Sequence, residues 1–152
     1  MLIRRITVSD VELNHTEVYE LLKLCVENTY TVDEIELFLN SKVESLLFHL
    51  NGGNAIVFGA FEGETLCGFV WAYPYTVTTE ETIHIAYLAV FSQFRKHGIA
   101  RRLLAEVEQI AREMGICTME VIVSNNNDVA GQTYSSAGFT VDRKVMVKRT
   151  DE

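Results

Sequence analysis

Between residues 82 and 123 the chain changes its hydrophobic period twice, and that change constrains the fold more than any other feature. Residues 82–90 are apolar on both alternating faces, as expected of a central strand covered on two sides. Leu103, Leu104, Val107, Ile110, Ala111 and Met114 then fall on one stripe of a helix, which Gly115 suits as the residue past its end. Residues 117–123 form another apolar run. A strand, a helix and a strand joined by short turns have one common solution, a right-handed crossover with the two strands parallel. Such a unit needs a sheet covered by helices, so the rest of the chain must supply strands and a second helical layer.

It has the patterns to do so. Residues 2–8 alternate loosely and read as a first strand. Val18, Leu21, Leu22 and Cys25 stand at helical spacing within 17–26, and a second helical region covers 33–49 until Asn51-Gly52-Gly53-Asn54 stops it. The apolar runs 55–61 and 66–75, joined by Glu62-Gly63-Glu64-Thr65, form a hairpin. Pro74, the only proline, lies near the end of the second run, where a lost ladder donor matters least. A polar turn at 76–81 leads into the strand 82–90. After 117–123, Asn125-Asn126-Asn127-Asp128 offers an N-cap for a helix over 129–137, Gly138 ends it, and 139–148 is expected to be the final strand. The expected fold is α/β (α+β): one domain over residues 1–152, with a mixed, mostly antiparallel sheet flanked by helices in the order β-α-α-β-β-β-α-β-α-β.

A net charge of −8 argues against general nucleic-acid binding, which needs a broad basic surface. Apolar runs fall short of a membrane span, and no signal-peptide core is present, so the expected setting is the cytoplasm, away from membranes. Cys25, Cys67 and Cys117 are odd in number and far apart, without metal-ligand spacing. They read as reduced, buried thiols, and no metal is expected.

Against this acidic background Arg95, Lys96, Arg101 and Arg102 place four cations in eight residues, around Gly98 and the start of a helix. The first turn of a helix carries N–H groups without intrahelical partners, and the macrodipole adds positive charge there. A glycine lets a ligand approach that backbone. This combination suits a phosphorylated ligand.

Arg95-Lys96-His97-Gly98-Ile99-Ala100 resembles the Gln/Arg-x-x-Gly-x-Gly/Ala signature of the GNAT superfamily of acyl-CoA-dependent N-acetyltransferases. Asn127-Asp128-Val129-Ala130 followed by Tyr134-Ser135-Ser136-Ala137-Gly138-Phe139 resembles the same family's Asn-x-x-Ala and Tyr-x-x-x-Gly-Phe segment. The similarity is strongest over 66–147. It implies that the turn wraps the pyrophosphate of acetyl-CoA with backbone N–H groups; among the flanking cations, Arg95 and Arg101 are the expected direct charge contacts. It also implies that Leu88, Ala89 and Val90 pair like a strand with the pantetheine arm, and that their backbone stabilises charge on the thioester carbonyl. Asn127 is implied by the motif spacing to bind the pantetheine; its other reading is a helix N-cap or Asx turn, a role that Asn125, Asn126 and Asp128 could equally fill.

Tyr134 matches the family's general acid, placed to protonate the departing thiolate. For the base that deprotonates the amine, His84 matches the position used by some relatives, and imidazole titrates near neutrality. Glu120 and Glu81 are alternatives, and water is another. The acceptor is expected to be a primary amine, either a small molecule or a protein N-terminus, with Tyr30, Phe38, Trp71, Tyr73, Tyr75 and Glu80 as candidate pocket residues. The competing function is a CoA-binding module without catalysis. The valines of 139–148 suit either pairing across a homodimer or an ordinary edge guarded by Arg143, Lys144 and Lys148.

Overall fold

A computed structural model describes residues 1–27 and 32–151. It divides into two compact units, Met1–Ile122 and Val123–Glu152.

The first unit is built on a five-stranded sheet. Its strands are β1 (Leu2–Arg5), β2 (Ile56–Glu62), β3 (Thr65–Val77), β4 (Glu80–Val90) and β5 (Met119–Val121), and they lie in that order across the sheet. Neighbours are antiparallel from β1 to β4, and β4 pairs with β5 in parallel. The helices are α1 (Val8–Leu13), α2 (His15–Val26), α3 (Val32–Gly52) and α4 (Ile99–Glu113). Together with Val57, Phe61, Phe69, Trp71 and Ala89 of the sheet, α2 and α3 bury Val18, Leu21, Leu22, Leu39, Val43 and Leu46. The alternate strand residues, among them Phe58, Val70, Ile83 and Ile85, are buried on the other face, the side left for Leu103, Leu104 and Val107 of α4. Each of these large side chains contributes roughly 1.5–3 kcal/mol when fully buried.

The crossover, the hairpin and the parallel pairing match the expectations. Several details differ. The strand read at 2–8 ends at Arg5, because Thr7 caps a helix that the pattern did not announce. Asp10 closes that cap: Thr7 N–H donates to its carboxylate at 2.8 Å, and the Asp10 N–H donates to Thr7 Oγ1 at 3.2 Å. Arg4 adds a bidentate pair at 2.7 and 2.9 Å, and these bonds hold the Asp10 carboxyl well below the usual range. The turn at 76–81 shrinks to Thr78-Thr79, since β3 and β4 stay paired to Val77↔Glu80. Pro74 thus lies where β3 has outrun β2, whose last partner is Ala72. Of the thiols, Cys67 is buried, Cys25 is half-buried with its pKa pushed up to about 12 by burial, and Cys117 is exposed rather than buried. No helix among the described residues is long and apolar enough to cross a membrane.

The second unit contains α5 (Asp128–Ser136). The expected final strand at 139–148 is absent. Among the described residues of this unit no strand occurs, and Val141 and Val145 are more than four-fifths exposed. The strand expected at 117–123 is likewise reduced to Met119–Val121.

Candidate active site

The turn between β4 and α4 begins with a single 3-10 turn, Ser92–Phe94. Arg95 Nε donates to the Val90 carbonyl at 2.9 Å, tying the turn to the end of the strand. Lys96 and Gly98 both take left-handed backbone conformations, with φ of 65° and 75°. For a residue with a side chain that conformation costs roughly 1–2 kcal/mol, so the strain at Lys96 marks a turn held in a particular shape. Gly98 is the N-cap of α4 and offers no side-chain oxygen to the helix. The first N–H groups of α4 are therefore left without a capping side chain. Arg95, Lys96, Arg101 and Arg102 are all exposed around them, as are His97 and Gly98, while Ile99 turns into the core and Ala100 is half-buried. Uncapped donors, a helix dipole and surrounding cations suit a diphosphate.

The two halves of β4 differ in what flanks them. Ile83, His84 and Ile85 pair with Met119, Glu120 and Val121 of β5 on one side and with β3 on the other. Beyond Ile85 the parallel ladder stops. Leu88, Ala89 and Val90 pair with Val70, Phe69 and Gly68 of β3, and among the described residues no strand pairs with their other edge. An extended, amide-rich ligand arm can use such an edge as a further strand would.

A bulge separates the halves. Trp71 faces Tyr87 and Ala72 faces Ile85, so Ala86 is an extra residue on β4. Without it, Tyr87 and Ala89 would share the face of Ile85. With it, they return to the face that carries His84 and Trp71.

That face borders a cavity of about 970 Å³, whose lining includes His84, Trp71, Tyr73 and Tyr87 from the sheet, Ser45 and His49 from α3, and Ile110, Glu113 and Met114 from α4. His84 is tied to two neighbouring strands. Its Nδ1 lies 3.0 Å from Glu120 Oε2, and Tyr75 donates its hydroxyl proton to Glu120 Oε1. The rings of Tyr73 and Tyr75 stand 5.3 and 5.9 Å from the imidazole. The two residues read from sequence as rival bases are thus hydrogen-bonded to each other. Glu81 is exposed opposite Thr76 and does not line the cavity.

The sequence profile of the acetyltransferase (GNAT) family matches residues 15–139. The chain belongs to the GNAT acetyltransferase family. Its similarity to individual relatives is modest. It is 31% identical over 83 residues to a thialysine N-epsilon-acetyltransferase of Caenorhabditis elegans, covering 54% of this chain and 52% of that protein. It is 27% identical over 84 residues to the uncharacterized N-acetyltransferase YycN of Bacillus subtilis, covering 55% of this chain and 54% of that one. The match therefore spans about half the length of these curated relatives. Among solved structures, the PaiA N-acetyltransferase of Thermoplasma acidophilum in complex with coenzyme A superposes with a TM-score of 0.80 at 25% identity, covering 95% of this chain and 92% of that one.

The GNAT signature residues of the second unit sit on α5. Asn127 is its N-cap, and Oδ1 accepts the Ala130 N–H at 3.1 Å, so the capping role that its sequence position allowed is realised. Tyr134 is buried, with its ring edge-on to Phe139 at 5.5 Å. Among the candidate pocket residues, Trp71 and Tyr73 line the cavity, and Tyr75 stands beside it through His84 and Tyr73. Phe38 carries the Lys42 ammonium over its ring at 5.2 Å, and Glu80 accepts from Thr118 Oγ1 at 3.0 Å. Tyr30 lies outside the described residues. Sequence reading missed Tyr87, His49, Ser45 and the bulge at Ala86. The helix residues carried one signal, the polar stripe of Lys42, Ser45 and His49 at helical spacing, while the bulge carried none.

Proposed function

We propose that this chain is a single-domain N-acetyltransferase of the cytosol, moving the acetyl group of acetyl-CoA to a primary amine by direct attack in a ternary complex. One observation carries the reading: a single strand, β4, holds an open backbone edge leading to the Gly98 turn and also holds His84 on the wall of an aromatic cavity. Acetyl-CoA supplies an activated thioester whose leaving group is a thiolate. The turn from Arg95 to Ala100, with Arg101, binds the diphosphate, and Leu88, Ala89 and Val90 bind the arm through their backbone.

His84 takes the proton from the acceptor ammonium, leaving the nitrogen lone pair for attack. It ranks ahead of Glu81, which is exposed away from the cavity, and of Glu120, whose oxygens already accept from Tyr75 and His84. The aromatic wall formed by Trp71, Tyr73 and Tyr87 suits a cation before it is deprotonated. Asn127 contributes its amide to the arm. Tyr134 meets the departing thiolate with a hydrogen bond or proton. The likeness to a thialysine N-epsilon-acetyltransferase supports a primary amine as acceptor.

Thiol release from acetyl-CoA, followed across a panel of polyamines, amino acids, aminoglycosides and peptides with free N-termini, tests the reading. Turnover with at least one amine is expected, and Tyr134→Phe should slow it about 10- to 100-fold while leaving CoA affinity within twofold. CoA binding without turnover across the panel would overturn the enzyme reading in favour of a non-catalytic CoA-binding module.

A further inference from the structure

We propose that Glu120 and Tyr75 are positioning residues that set the tautomer and orientation of His84; this deepens the assignment of His84 as the base and rests on it. The geometry comes from the sheet itself. His84 is in register with Tyr73 of β3 on one side and with Glu120 of β5 on the other, so the imidazole is held between two strands. An ionised carboxylate has no proton to give, so the 3.0 Å contact at Glu120 Oε2 requires the hydrogen to be on His84 Nδ1. In the neutral ring that leaves the lone pair on Nε2, the atom able to receive a proton.

Tyr75 completes the arrangement. Its hydroxyl donates to the other Glu120 oxygen, and its ring meets the imidazole edge-on at 5.9 Å. The carboxylate is therefore fixed at both oxygens, and the imidazole is fixed at one nitrogen and by the rings of Tyr73 and Tyr75. Besides the phenols of Tyr73 and Tyr87, the other ionisable groups lining the cavity are Lys42 and His49 on α3, Glu113 on α4 and Arg5 at the end of β1. None of them has a hydrogen bond to His84.

The proton balance follows. One N–H bond of the acceptor ammonium breaks, its electron pair stays on nitrogen, and a new N–H bond forms at Nε2. The imidazolium so formed keeps its Nδ1–H bond to Glu120, whose negative charge compensates it. Tyr75 and Glu120 neither gain nor lose a proton. Glu120 thus assists the transfer without receiving the proton itself.

The test begins on the wild-type protein without ligand. The ¹⁵N shifts of His84 at neutral to mildly alkaline pH should report the tautomer protonated at Nδ1. In Glu120→Gln the amide can donate to the ring, so the tautomer should move toward Nε2–H. With acetyl-CoA and the panel amine of highest turnover, kcat should then fall about 100-fold or more, with both KM values within twofold. Tyr75→Phe should lower kcat several-fold and leave the tautomer unchanged. A wild-type ring protonated at Nε2, or Glu120→Gln with unaltered kcat beside an inactive His84→Gln, would overturn the positioning role alone. Wild-type kcat in His84→Gln would instead overturn the base assignment on which the role depends.

Discussion

Residues 80–85 of β4 are paired with β3 along one edge and, through Ile83, His84 and Ile85, with β5 along the other, whereas among the described residues β3 is the only strand that pairs with 87–90. The two stretches belong to one strand, yet they offer different things. Where both edges are filled, the backbone has nothing left to give, and side chains from three strands are locked in register. His84, Glu120, Tyr73 and Tyr75 meet there. Where one edge is open, the side chains are core or half-buried, and what remains available is the backbone that Cys25 and Arg95, donors to the Leu88 and Val90 carbonyls, do not engage. The first condition suits proton transfer, which depends on a fixed ring nitrogen. The second suits a peptide-like arm, which depends on a row of amides.

If that division is correct, damage to one half should leave the function of the other standing. The largest effect is expected at the closed half. His84→Gln should lower kcat by about 10²- to 10⁴-fold, the usual contribution of a positioned base, while acetyl-CoA affinity measured by calorimetry stays within twofold. Parallel loss of CoA affinity would show that the halves are not separable.

At the end of the open half, Gly98→Val places a branched side chain at φ 75° and at the mouth of the turn. The backbone strain alone is about 1–2 kcal/mol, so the KM for acetyl-CoA should rise about tenfold or more with kcat at saturation largely kept. A fall in kcat with KM unchanged would assign the turn to the chemistry instead.

The smallest effect serves as a control away from β4, at Asp10. Arg4 and Thr7 hold its carboxyl well below the ordinary range in the folded chain. A depressed pKa contributes stability above the unfolded value, and that contribution fades as pH falls below about 4. Asp10→Asn should therefore cost about 1 kcal/mol in urea unfolding at pH 7 and progressively less in acid, with kinetics unaltered.

Much of this arrangement was legible from local patterns. The apolar stripe of α4, the hairpin of β2 and β3, and the parallel pairing of β4 with β5 follow from periodicity and chain handedness. Gly98 and its flanking cations marked the turn, and His84 and Glu120 stood out as titratable groups on apolar strands. Other features left weaker traces. Thr7 and Asp10 form a capping pair with the spacing of a known signature, but the apolar alternation before them masked it. At 139–148 the alternation of Val141, Val145 and Val147 with charged residues is that of a strand, and still the second unit has none there among its described residues. Alternation reports which side chains could share a face; it does not provide the neighbouring backbone that makes a strand.

The amino-acid sequence by itself determined the basic glycine turn, the strand and helix that it joins, and the family to which they belong, because each depends on residues adjacent in the chain. Only the tertiary structure decided that His84 and Glu120 are partners and that Tyr87 returns to their face. The first depends on the register between strands whose paired residues lie 36 positions apart. The second depends on one unpaired residue, Ala86, in a run whose composition gives no sign of it. Register is a property of two backbones at once, so a pattern carried along one of them cannot contain it.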